Sequence, residues 1–281
     1  MIAGVDRLSA HDFRRLAVFI QDYSGIKMPP SKQTMVEGRL RKRVGATGRG
    51  NLADYCRFVF DEDGLSSEAI HLIDVVTTNK TEFFREPDHF KFLADIALPK
   101  LLSERRIGSN PLIKSWSTAS SIGAEPYTLA MVMDDTSHRL GGFRISIVAT
   151  DISTRVLETA IGAIYPEAMI APVPLEMRKR YLLRGRHASK GLVRLVPEIR
   201  RLVQFGRLNL MDTSYPLDQD MDVIFCRNML IYFDKPTQQA VLTRLCDHLR
   251  PGGCLFLGHS ESLAGFGLPL NPIAPTVFCR E

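Results

Sequence analysis

The chain of 281 residues contains no run of roughly 18 apolar residues, so no segment suits a membrane-spanning helix. Its first residues show no apolar stretch behind a basic start, and a cytoplasmic location is expected. Cysteine is scarce. Cys56, Cys226, Cys246, Cys254 and Cys279 make an odd set with no CxxC pair. That argues against a disulfide framework and a zinc site and fits a reducing compartment. The seven histidines include no HExxH or similar spacing, so no metal is expected. No GxGxxG opens a helix, which leaves a dinucleotide pyrophosphate without its usual cradle. A serine-hydrolase elbow fails at Gly258-His259-Ser260-Glu261-Ser262, where the second glycine of GxSxG is missing. Internal repeats and low-complexity tracts are absent.

What is present is ordinary in bulk: 45% hydrophobic and 24% charged residues, the balance of a globular protein. The length suits one large domain plus a small one. The net charge of +5 favours an acidic partner without choosing its class. Between positions 27 and 49, Lys27, Lys32, Arg39, Arg41, Lys42, Arg43 and Arg49 face one acid, Glu37. That local excess exceeds the charge of the whole chain, so the remainder is close to balanced.

Residues 1–77 read as a small helical domain. Apolar positions at 13, 16, 17 and 20 follow Ser9 with helical spacing. A second helix is expected over about 31–44, with Met35, Leu40 and Val44 inward and Arg39, Arg41, Lys42 and Arg43 largely solvated. Others begin near Asn51 and after Ser66-Ser67. From Leu112 onward strands and helices alternate, the pattern of an open α/β sheet. Strands are expected at 113–116, 143–149, 223–226, 254–258 and 276–279. Helices are expected from Glu125-Pro126, with proline near its first position, from Ser153, and over 236–249. Residues 165–205 break this rhythm. A short helix and three possible strands (182–184, 192–196, 202–205) suggest an inserted antiparallel subdomain, with 185–191 as a hairpin loop.

In such a sheet, ligands bind beyond the carboxyl ends of the strands. Three strand ends carry suggestive chemistry. The turn Ser117–Gly123 is built of small residues before a helix N-terminus, which admits a ligand backbone and favours a carboxylate. Tight packing alone would also explain it. Asp151 ends the next strand, where an acid accepts ribose hydroxyls or caps the following helix. Ser153 fills the capping role too. Arg227-Asn228 follows a wholly apolar strand, so its polar groups need partners. The turn Leu249-Arg250-Pro251-Gly252-Gly253 is similar to the L-x-P-G-G turn of class I methyltransferases.

Several segments together resemble the CheR family of chemotaxis methyltransferases. They are Thr78–Glu86 (TNKTEFFRE), Gly123–Tyr127 (GAEPY), Ala149–Ile152 (ATDI), Cys226–Asp234 (CRNMLIYFD) and Gly258–Ser262 (GHSES). Their order and spacing cover nearly the whole chain. The resemblance implies an α/β fold of the class I methyltransferase type: a mostly parallel sheet, a helical N-terminal domain (1–77), a linker at 78–90 contributing to the cofactor site, and a catalytic domain (91–281) carrying the small β-insertion. It implies S-adenosylmethionine as cofactor, with S-adenosylhomocysteine as product. Asn79, Thr81 and Arg85 match positions lining the site, Arg85 as partner of the methionine carboxylate close to the transferred methyl. Glu125 and Asp151 match cofactor contacts, Asn209-Leu210 a pair beside adenine, and Arg227-Asn228 the site wall. Tyr232 matches a tyrosine near the methyl group. The chain departs from the common pattern at Ile122 and Ala124, both in the cofactor turn.

The implied reaction forms methyl esters on chemoreceptor glutamates. A glutamate carboxylate, with a pKa of about 4.3, is already ionised near neutral pH, so neither a general base nor a metal is required. Alignment and partial removal of water would supply catalysis, with Arg85 and Tyr232 shaping the pocket. Receptor methylation regions are helical and glutamate-rich, so Arg39, Arg41, Lys42 and Arg43 are candidates to steer and dock them. The inserted subdomain resembles the part of some relatives that takes a receptor's C-terminal pentapeptide. Two other readings remain. A nucleic-acid methyltransferase would also be basic and α/β, but the [DNS]PP[YF] position reads CRNMLIYF. A non-catalytic S-adenosylmethionine-binding sensor or adaptor would be favoured by loss of Arg85, Asp151 or Tyr232, and all three are present.

Overall fold

A computed structural model describes residues 6–104 and 110–281. Four helices come first: α1 (Ala10–Ser24), α2 (Gln33–Ala46), α3 (Leu52–Asp61) and α4 (Leu65–Val76). Two of them, α1 and α3, start at a side-chain cap. The Ser9 hydroxyl accepts from the Asp12 N–H at 3.0 Å, and the Asn51 side chain from the Asp54 N–H at 2.8 Å, satisfying donors that the first turn leaves free. Gly25 ends α1 in the left-handed region, φ 73°. A cluster including Phe13, Leu16, Ile20, Leu40, Leu52 and Tyr55 forms the core of this unit. On α2 the inward residues are Val36, Leu40 and Val44, with Met35 only partly covered, one position off the expected register.

After α5 (Pro87–Phe92), a π-helical turn at Leu93–Ala97 leads into α6 (Leu98–Glu104). The α/β unit then runs β1 (Leu112–Ser117), α7 (Ala124–Arg139), β2 (Arg144–Asp151), α8 (Thr154–Gly162), β3 (Ile164–Pro166), α9 (Leu175–Tyr181), β4 (Leu182–Arg184), β5 (Leu192–Leu195), α10 (Pro197–Arg200), β6 (Val203–Arg207), β7 (Met221–Cys226), α11 (Lys235–His248), β8 (Leu249–Leu257), β9 (Leu270–Ala274) and β10 (Val277–Arg280). The large sheet has the order β6-β2-β1-β7-β8-β10-β9. It is parallel from β6 to β8, while β10 and β9 run antiparallel. Every residue of β7 is buried, as expected at the centre of a sheet covered on both faces; residues 223–226 are apolar, and the buried Asp222 is held by Arg250 and the Lys114 N–H. Chain order reverses at β1, flanked by β2 and β7, so the ligand crevice of such a sheet falls at the carboxyl ends of these three strands.

Several expectations need correction. The small antiparallel sheet has the order β3-β5-β4. Its third strand is Ile164–Pro166, whereas Val203–Arg207 joins the large sheet parallel to β2. The insertion therefore ends before β6. β9 was not expected at all. Pro126 is the third residue of α7, a position whose N–H still lacks an intrahelical partner. Ser153 precedes α8, but its hydroxyl makes no capping bond and is buried without a partner.

Candidate active site

The cleft at those strand ends measures about 220 Å³. It is lined by all ten residues nominated from sequence as catalytic or cofactor-binding: Asn79, Thr81, Arg85, Glu125, Asp151, Asn209, Leu210, Arg227, Asn228 and Tyr232. The helical unit closes one side with Ser24, Ile26, Met28, Lys32 and Met35, a wall that the sequence motifs do not mark. The basic quartet of α2 lies elsewhere.

Arg227 is a deeply enclosed charge. Its side chain is 2% exposed. Nε donates to Glu125 Oε2 at 2.7 Å, both terminal nitrogens donate to the Arg85 carbonyl at 2.8 Å, and Nη1 donates to His89 Nδ1 at 3.1 Å. Four of the five N–H groups of a guanidinium are thereby used within the protein. Glu125 completes its own set by accepting from the Ser117 hydroxyl at 2.8 Å. Arg227 and Glu125 thus tie β7, α7, β1 and the 78–90 segment into one frame behind the cleft.

His89 stands behind this frame. Arginine has no acceptor, so His89 Nδ1 must be the acceptor and its Nε2–H donates to Thr276 Oγ1 at 2.8 Å. Burial, reinforced by the Arg227 charge, lowers its pKa to about 4 and keeps the ring neutral. Glu86, His89 and His259 bring metal-ligand atoms within 4.8 Å of one another. The Arg227 guanidinium, however, already lies 3.1 Å from one of those atoms and 3.6 Å from Glu86 Oε2, so it occupies the cationic role there. Burial pushes the Glu86 carboxyl up, but the Asn228 amide and Arg227 outweigh it and the net shift is downward.

Asp151 is buried, and its carboxylate accepts from the Ser121 N–H at 2.8 Å and the Ser153 N–H at 2.9 Å. It therefore organises the two turns around the cleft as well as facing it. Burial raises its pKa against the pull of those N–H groups. Asn209 donates to the Tyr23 carbonyl at 2.6 Å and accepts from the Met211 N–H at 3.0 Å, joining its loop to the end of α1. Gly123 is required where it stands. Its φ is 93°, and an added Cβ would lie 2.8 Å from Tyr165 Oη and 2.9 Å from Ala160 Cβ.

Arg85 contrasts with Arg227. Its guanidinium makes one bond, to the Lys80 carbonyl at 3.2 Å, and has no carboxylate partner among the described residues. Lys32 Nζ lies 5.7 Å from the centre of the Tyr232 ring, also without a carboxylate partner among them. Unpaired cations therefore face the cleft while its acids are already engaged. Asn228, Ser121, Phe84 and Glu86 all adopt positive φ (50–57°) although none is glycine. Such strain clusters at functional sites.

Two family models match the chain. The all-alpha domain of CheR methyltransferase covers residues 11–77, and the SAM-binding domain of CheR methyltransferase covers 79–274. The chain belongs to the CheR family. A chemotaxis protein methyltransferase 2 of Pseudomonas aeruginosa is 37% identical over 269 residues, covering 95% of this chain and 92% of its own length. A chemotaxis protein methyltransferase of Klebsiella aerogenes is 40% identical over 258 residues, covering 92% and 85%. That of Escherichia coli is 38% identical over 266 residues, covering 94% and 89%. The cofactor of this CheR-family chain is S-adenosylmethionine, whose binding domain the longer match spans.

The cleft fits that molecule on chemistry visible in this chain. Arg85 has no carboxylate partner among the described residues, Asp151 is an anchored acceptor, and Gly123 keeps the turn at the end of β1 open. The α2 quartet needs correction. Arg39 Nη1 donates to the carbonyls of Val76 and Thr77 at 2.6 and 2.8 Å, capping the end of α4. Arg43 forms a bidentate pair with Glu68, at 3.0 and 2.5 Å, whose carboxylate also accepts from Tyr55 Oη. Both guanidiniums are partly buried within the helical unit rather than solvated. Arg41 and Lys42 are exposed, Arg41 donating to the Asp6 carbonyl at 3.0 Å. Sequence motifs also give no role to Glu261 or His89. Glu261 lies inside the quoted GHSES block and His89 just past the TNKTEFFRE block. Both act through main-chain or framework contacts that residue type alone does not announce.

Proposed function

We propose that this chain is a protein-glutamate O-methyltransferase that esterifies glutamate side chains in the cytoplasmic, helical regions of chemoreceptors. The observation that carries this reading is the division of charge in the cleft. Its acids, Glu125 and Asp151, are held by Arg227 and by backbone N–H groups, while Arg85 and Lys32 keep unpaired positive charge toward the opening. No side chain there is arranged as a free general base. The acceptor must then arrive already nucleophilic, and an ionised carboxylate does. When bound, S-adenosylmethionine supplies an electrophilic sulfonium methyl. The chain's own part is to hold the methionine carboxylate at Arg85, ribose hydroxyls at Asp151 and the adenine edge at Asn209-Leu210. It also narrows the approach with Tyr232 and excludes water around two opposite charges that neutralise one another as the bond forms.

In this reading residues 1–77 meet the receptor, 78–90 complete the cofactor site and 91–281 carry the transfer. Arg41 and Lys42 are the members of the quartet available for docking an acidic helix. The small sheet would take a receptor's C-terminal pentapeptide, supported by exposed Ile164, Leu183 and Leu192 beside exposed Arg184 and Arg194. The test is methyl transfer from labelled cofactor to receptor-rich membranes, then mild base. Released methanol identifies a carboxyl ester, and a base-stable product refutes the reading. The Arg85→Ala variant should lose most transfer. Receptors lacking the tail should be methylated more slowly if the small sheet docks it.

A further inference from the structure

Behind the Tyr232 wall of the cleft, the turn from Cys226 to Tyr232 leaves β7 and immediately meets the end of β8. The two strand ends approach closely: a Cβ on Gly258 would lie 2.5 Å from Asn228 Nδ2 and 2.8 Å from the Asn228 nitrogen. Glu261 joins them. It is 6% exposed. Its Oε2 accepts from the N–H groups of Gly258 at 2.7 Å and Asn228 at 2.9 Å, and its Oε1 from the N–H of Leu230 at 2.7 Å. Among the described residues no cation pairs with it, so this anion sits in a nest of main-chain dipoles. The clasped residues matter to the cleft. Asn228 holds φ 57° and donates to Glu86 Oε1 at 3.2 Å, tying the turn to the segment that carries Arg85. Leu230 begins the short 3-10 turn that delivers Ile231 and Tyr232 to the cleft wall.

We propose that Glu261 is a positioning residue for methyl transfer, clasping the 227–232 turn so that Asn228 and Tyr232 meet the acceptor in register. This rests on the transfer reaction proposed above. Glu261 itself is not among the residues that line the cleft. Among the described residues no hydrogen bond joins Asp151, Asn209 or Gly123, at the other end of the cleft, to this clasp, so cofactor affinity and transfer rate should separate when it is broken.

The test compares wild type with Glu261→Gln and Glu261→Asp. Glutamine turns one acceptor oxygen into an NH2 group facing a main-chain N–H. A displacement of the order of 1 Å at a reacting centre lowers rate by about 100-fold. Expected for Glu261→Gln is a kcat lower by about 100-fold, with KM for receptor and calorimetric Kd for S-adenosylhomocysteine within about 3-fold of wild type. Glu261→Asp, which keeps the anion one methylene short, should fall between and carries the test should the glutamine variant not fold. Wild-type kcat in the variants overturns the proposal, as does a loss of S-adenosylhomocysteine affinity matching the loss of rate. Amide hydrogen exchange at 228–230 is read in parallel. It should accelerate in the variants while exchange around Asp151 stays constant, and unchanged protection at 228–230 overturns the proposal whatever the acceptor proves to be. A wild-type chain that makes no base-labile ester counts against the reaction, not against the clasp.

Discussion

Replacing Arg227 with methionine distinguishes a framework residue from a ligand-binding one. The substitution keeps most of the side-chain volume beside the stacked rings of Phe90 and Phe225, whose centroids lie 5.1 and 5.4 Å from the guanidinium carbon. It removes the partner of Glu125 at 2.7 Å and both donors to the Arg85 carbonyl. Glu125 would then retain only the Ser117 hydroxyl. Breaking one side of a buried ion pair costs about 3–5 kcal/mol, because the remaining charge stays buried. At about 2–4 °C per kcal/mol for a chain near this size, the melting temperature should fall by roughly 6–20 °C. Changing Glu125 to glutamine as well removes the stranded charge, so the double variant should be less destabilised than the two single losses summed, with a coupling of about 0.5–3 kcal/mol. Urea unfolding followed by circular dichroism measures all four members of the cycle. An Arg227→Met chain within 1 kcal/mol of wild type, or strictly additive losses, would refute the reasoning. A variant that kept full stability and lost only cofactor affinity would return Arg227 to the role of direct ligand.

His89 gives the protein an acid limb. Its pKa is about 4 folded against 6.5 for the free side chain. Between those values the unfolded chain binds a proton that the native chain does not, so stability is lost as pH falls from about 6.5 toward 4. The loss reaches about 3 kcal/mol, and His89→Gln, which can still accept from Arg227 and donate to Thr276, should flatten that slope in urea titrations. On α2, Arg43→Ala should destabilise by about 1–3 kcal/mol, because it strands a nearly buried Glu68. Arg41→Ala with Lys42→Ala should leave stability within about 0.5 kcal/mol and instead weaken receptor binding and reduce its salt dependence; a binding loss confined to Arg43 would reverse this assignment.

The starts of α1, α3 and α11 were legible because their caps are local. Ser9 and Asn51 sit three residues before the N–H groups they accept from, and Asp234 does the same for Thr237 at the head of α11. The middle of β7 was legible because burial on both faces favours an apolar run such as that of residues 223–226. Strand partnership was not. Ile164–Pro166 and Val203–Arg207 are both short, and a two-residue period says which face a side chain takes, not which sheet it joins. β9 was hidden because Pro272 lies in an exposed edge strand, where a missing N–H costs no ladder bond.

Charge was the least legible property. A run such as Arg39–Arg43 looks uniformly solvated in sequence. Yet the partners that immobilise Arg39 lie 37 and 38 residues away, and that of Arg43 lies 25 away. The same holds in the cleft. Arg85 and Arg227 carry the same group and stand in equally specific motifs, but four of the five N–H groups of Arg227 are taken by contacts 102, 138 and 142 residues distant, while Arg85 meets, among the described residues, only a neighbouring carbonyl. An active site of this kind therefore depends on an arginine that is used up as much as on one that is not. The buried frame around Arg227 removes alternative partners for Arg85, since Glu125 and Glu86 are already engaged and a third acid, Asp151, is tied to backbone. What is left for Arg85 is an anion brought from outside the chain, which is the part the proposed reaction gives to the methionine carboxylate of the cofactor.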